Sequence, residues 1–96
     1  MKNPNKQPVM TLRPEILIAM RLLDFLYTSR GEELTVTWTT GGKHKPYSVH
    51  PKHRAFDSRK PSFNPDVALD AAREIMGPDF DFVEEVDHIH TEWDPK

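Results

Sequence analysis

The sequence predicts an α+β domain with the order helix, strand, long loop, helix, strand, strand. Three patterns carry that expectation. Apolar residues crowd residues 16–27, apolar and threonine residues alternate over 34–39, and a second helical spacing runs over 67–76.

The first ten residues, beginning Met1-Lys2-Asn3-Pro4-Asn5-Lys6-Gln7-Pro8, are polar and broken by proline, so a flexible arm with no buried face is expected over 1–10. A single domain is expected over 11–96. Thr11 and Pro14 supply helix-start chemistry, and Glu15 suits the positive end of the helix dipole. The helix should run to about Ser29, where Arg30-Gly31 ends it. Its apolar set (Ile16, Leu17, Met20, Leu23, Phe25, Leu26, Tyr27) covers more than a narrow stripe, which predicts a central core helix.

Leu34, Val36 and Trp38 alternate with Thr35, Thr37 and Thr39, the signature of a half-buried strand that Gly41-Gly42 would close. Residues 43–60 hold little apolar content and read as a long structured loop with a short strand near Ala55–Ser58. Long polar loops in small domains are usually functional. Asn64-Pro65-Asp66 starts the second helix, Val67, Leu69, Ala71, Ala72, Ile75 and Met76 follow, and Gly77-Pro78 stops it. Two short strands are expected at about Phe80–Val86 and His88–Trp93.

A 96-residue chain is small enough that its core needs reinforcement, and a metal would serve. With no cysteine, disulfides and thiolate sites are excluded. The net charge of −2 gives no overall pull toward nucleic acid, and Arg21 and Asp24 interrupt the most apolar run, which is too short to span a bilayer. Neither a nucleic-acid partner nor a membrane is expected. No signal peptide is visible, so a target outside the cell would be reached from the cytoplasm only after release by lysis or as part of a virion.

Five histidines occur, and four fall in two clusters, His50 with His53 and His88 with His90. A cysteine-free metal site must use His, Asp and Glu, and a catalytic zinc site keeps three such ligands and leaves one position to water. His50 and Asp57 lie seven positions apart, so the segment between them must turn back if both reach one ion. On a strand, His88 and His90 share a face while Ile89 points to the core. A lone His-x-His pair is also an ordinary feature of a surface strand, and the acidic run of Glu84, Glu85 and Asp87 is an ordinary solvated face.

Taken together, Ser48-Val49-His50-Pro51-Lys52-His53-Arg54-Ala55-Phe56-Asp57 resembles the S-x-H-x-x-G-x-A-x-D signature of the zinc D-Ala-D-Ala carboxypeptidases, the phage L-alanyl-D-glutamate endolysins and the hedgehog signalling domain. His88-Ile89-His90 is similar to the later His-x-His of that superfamily, and Thr91-Glu92-Trp93-Asp94-Pro95 looks like the ending of its small phage members. The resemblance implies a hedgehog/DD-peptidase-like fold, a small antiparallel sheet packed against two helices. It implies one zinc ion held by His50, Asp57 and His90, and a metallopeptidase hydrolysing D-Ala-D-Ala or L-Ala-D-Glu bonds in peptidoglycan stem peptides.

Relatives place the proton-accepting carboxylate three residues before the zinc histidine, which selects Asp87 if His90 is the ligand and Glu85 if His88 is. Glu84 matches the hedgehog offset. His88 would orient the water or steady the oxyanion, and Arg54, Lys43 and Arg59 could position a substrate carboxylate. The signature glycine is His53 here, which strains the turn if that backbone needs a positive φ. A zinc module of the same fold without catalysis is the second reading. A third is an HNH-type nuclease, which Val86-Asp87-His88-Ile89-His90 resembles at its opening, but only six residues follow His90 to supply the rest of such a site. The bond cut, the choice between exo- and endopeptidase and the oligomeric state are left open by the sequence.

Overall fold

A computed structural model describes residues 1–39 and 53–95. Two helices, α1 (Pro14–Thr28) and α2 (Asp66–Met76), accompany four strands: β1 (Val36–Thr39), β2 (Ala55–Ser58), β3 (Phe80–Glu84) and β4 (Ile89–Trp93). The strands form one antiparallel sheet in the order β1-β2-β4-β3. The protein is thus an α+β fold with a small sheet packed on two helices.

Helix α1 begins at Pro14, whose missing N–H removes one of the orphan donors of the first turn. Arg13 ahead of it gives its backbone N–H to the His53 carbonyl at 2.8 Å, tying the helix start to the approach to β2. Ile16, Ala19, Met20, Leu23 and Tyr27 form one buried stripe at three- and four-residue spacing. Phe25 is 68% exposed and Ile18 59%. The helix is therefore buried along one face and not all round, because α2 and the sheet cover only that side. Gly31, at φ +87°, takes the left-handed conformation that lets the chain turn back after α1.

Helix α2 starts where Asn64 Oδ1 accepts the Asp66 N–H at 3.0 Å, and it ends at Gly77, φ +84°. Ala68, Leu69 and Ala72 join the α1 stripe and Leu34, Val36, Phe56, Phe82 and Ile89 in one core. Strand alternation then follows from that core. Phe56 and Ser58 on β2, and Ile89 and Thr91 on β4, turn to the helices, so Asp57, His90 and Glu92 emerge on the opposite face. An irregularity between Val36 and Trp38 breaks the alternation of β1, and Trp38 sits opposite Asp57.

The segment expected as a flexible arm is instead laid along β1. Lys2 gives its N–H to the Leu34 carbonyl and accepts the Val36 N–H, both at 2.8 Å. Asn5 Nδ2 donates to the Thr37 carbonyl at 3.0 Å, and Gln7 Oε1 accepts the Thr39 N–H at 3.1 Å. The physical reason is the unpaired edge of β1, whose backbone groups need partners that the arm's main chain and amide side chains supply. That demand leaves no trace in hydrophobic periodicity.

Candidate metal centre

β2 and β4 pair so that Asp57 lies directly across from His90. Cross-strand neighbours share a face, and here Asp57 Oδ1 and His90 Nδ1 come to 3.0 Å. Both residues are only 8% exposed. On the far side of the ring, His90 Nε2 lies 3.0 Å from Glu92 Oε1, since residues two apart on a strand point the same way. The imidazole is held between two carboxylates. Burial alone would lower its pKa, but the hydrogen bonds and charges of Asp57 and Glu92 outweigh burial and raise it.

His88, just before β4, reaches the same face, with Nε2 3.8 Å from Asp57 Oδ1. Its Nδ1 lies 2.6 Å from Asp87 Oδ1, and that hydrogen bond is the main reason the Asp87 carboxyl sits below its ordinary pKa. Between the two histidines, Ile89 is fully buried in the core. Thr37, Trp38, Asp57, Asp87 and His88 line an open pocket of about 390 Å³.

The remaining candidates are placed differently. Glu85 is exposed and its N–H donates to the His88 carbonyl at 2.8 Å, closing the β3–β4 turn, and it does not line the pocket. Glu84 pairs with Lys60 at 3.2 Å. The guanidinium of Arg54 lies 5.2 Å from the centre of the Trp93 ring, which packs on the helix-side core, so it is turned away from Asp57. Arg59 is exposed just past β2, with its N–H on the Thr35 carbonyl. His50 and Lys43 lie outside the described residues. His53 has φ +60°, the left-handed conformation that a signature glycine would adopt without strain.

Glu92, Trp38 and Thr37 were not among the site residues expected from sequence. Glu92 had a usable signal, its two-residue spacing from His90. Asp81, Glu92 and Asp94 also bring carboxylate oxygens within 4.8 Å of one another. Acidic groups gather this way on many surfaces, and nothing else there marks a cation site.

Asp57 and His90 are donors of the type zinc takes, and among the described residues no third His, Asp or Glu donor joins them. Donors about 2.0–2.2 Å from a tetrahedral ion stand roughly 3.3–3.5 Å apart, wider than the 3.0 Å at which the two side chains hydrogen-bond here. A metal-bound imidazole also customarily donates its second N–H to a carboxylate, the position Glu92 occupies. Comparison with family models, curated proteins and solved structures finds no match to this chain. Among the described residues, no helix is long and apolar enough to cross a membrane.

Proposed function

We propose that this chain is a zinc-dependent peptidase acting on amide bonds of peptidoglycan stem peptides. The observation that carries the reading is the meeting of Asp57 and His90 at 3.0 Å beside a pocket that His88 and Asp87 also line. Asp57 and His90 would be two of the ligands, and His50 the third. Bound there, zinc supplies Lewis acidity toward a carbonyl and lowers the pKa of a water toward about 7.

The chain's own groups divide the remaining work. His88 Nε2 faces Asp57, and Asp87 holds the opposite ring nitrogen, so His88 is the better-placed proton acceptor and Asp87 the group that orients it. This reverses the ranking that the motif offset alone suggests. Glu85 lies outside the pocket lining and takes no part in this scheme. Trp38 and Thr37 give the substrate a wall across from His88. Arg54 is turned away and Arg59, like Glu85, does not line the pocket, so the recognition of a peptide carboxylate would fall to Lys43, which lies outside the described residues.

The test is metal analysis of the purified chain with digestion of defined muropeptides. About one zinc per chain and cleavage of a stem-peptide bond are expected. His88→Ala should keep the zinc and lose turnover by about 10²–10⁴-fold, the range for a general base. Zinc without cleavage would favour a non-catalytic module, and no zinc binding at all would end the reading.

A further inference from the structure

We infer that Glu92 is a positioning residue for His90, fixing which ring nitrogen is turned to Asp57 and so to a metal shared with it. The inference rests on the zinc reading above and adds a residue to it.

A carboxylate can only accept hydrogen bonds when ionised. Asp57 Oδ1 and Glu92 Oε1 each lie 3.0 Å from a ring nitrogen, so both nitrogens face an acceptor; a metal taking the place of the proton at Nδ1 would leave Nε2 to carry the N–H that Glu92 accepts. The imidazole torsion about Cβ–Cγ is broad and roughly two-fold, so the ring has a second orientation available. A flip would put a carbon against Asp57 and a carbon against Glu92, forfeiting both contacts. Glu92 therefore holds the ring in this orientation from the side away from Asp57, where a metal shared with Asp57 would not displace it.

The placement of Glu92 is set by the fold. β4 alternation puts it on the face of His90, and its backbone is fixed in register opposite Ala55 on one side and Asp81 on the other. Its side chain is 17% exposed and that of His90 10%. A hydrogen bond this far from water is worth more than one on the surface.

The experiment uses the full chain with Zn²⁺ and ¹¹³Cd²⁺ as probes. Zinc affinity is measured by competition with a chromophoric chelator for wild type, Glu92→Gln and Glu92→Ala. Gln keeps an oxygen acceptor, so affinity within about threefold is expected, whereas Ala should weaken binding by about 10–100-fold. In ¹⁵N-histidine-labelled protein loaded with cadmium, coupling should fall on His90 Nδ1, with a slowly exchanging Nε2–H in wild type and Glu92→Gln that Glu92→Ala loses. Equal zinc affinity in all three proteins, with wild type binding normally, overturns this inference and leaves the zinc reading standing. Should the alanine variant fail to fold, wild type still decides, because cadmium coupling to Nε2 refutes the assignment. A wild-type chain that binds neither metal removes both.

Discussion

Replacing His53 by glycine should leave the protein more stable than replacing it by alanine. His53 holds φ +60°, in the left-handed region where a Cβ crowds the neighbouring carbonyl. For an L-residue that crowding costs about 1–2 kcal/mol. Glycine escapes it but gives up about 0.5–1 kcal/mol through the greater freedom of the unfolded chain. At mid-range the net advantage of glycine over alanine is about 0.75 kcal/mol, or roughly 3–6 °C in Tm for a domain of this size. Comparing these two variants cancels the loss of the ring, whose Nδ1 is buried without a hydrogen-bond partner.

The assay is urea and thermal unfolding of His53→Gly and His53→Ala, with zinc content measured on each. The Arg13 N–H bond to position 53 uses the backbone carbonyl and should survive in both. An alanine variant as stable as the glycine variant would refute the argument, since it would mean that the turn imposes no positive φ. The point reaches beyond stability. In the signature that residues 48–57 resemble, this position is glycine, and a positive φ gives a physical reason why it should be.

Tyr27→Phe should stabilise the fold by about 1 kcal/mol in urea unfolding, because the Tyr27 hydroxyl is buried with no hydrogen-bond partner and burial drives its pKa upward. A loss exceeding about 0.5 kcal/mol would show that the hydroxyl is satisfied after all. Glu32 accepts hydrogen bonds from the Ser62 N–H and hydroxyl, and these hold its pKa below the ordinary value of 4.5. A depressed carboxyl stabilises the fold fully above its unfolded pKa and loses that contribution as pH falls through the lower folded value. Glu32→Gln should therefore lower Tm at pH 7, with the gap to wild type closing below about pH 4; a gap constant from pH 7 to pH 3 would refute the assignment.

Much of the secondary structure was legible because periodicity reports burial directly. The alternation at 34–39 and the helical spacing at 67–76 became β1 and α2. The expected third strand ended early because Glu85 turns its N–H to the His88 carbonyl and closes the hairpin at Glu84. What periodicity could not report was backbone demand. Residues 1–8 look unstructured by composition, yet they fill the hydrogen-bonding edge of β1. Phe25 misled for a related reason, since an apolar residue is a candidate for burial only if some element lies on its side of the helix.

The site was partly legible for a different reason. Spacing and resemblance pointed to Asp57 and His90, but only the register of β2 on β4 brings them together, and that register is set on the other face of the sheet. Phe56, Phe82 and Ile89 enter one core, and the pairs Phe56↔Thr91 and Ser58↔Ile89 enforce Asp57↔His90 between them. A slip of one residue would bury Asp57 among the helices and expose Phe56, which the core forbids. The same alternation turns Arg54 toward Trp93 and away from Asp57, and turns Glu92 toward His90. Arg54 was therefore selected by proximity in sequence where parity decides, and Glu92 was passed over as part of a tail although its parity matched. In this fold the apolar face chooses the register, and the polar face inherits its chemistry from that choice.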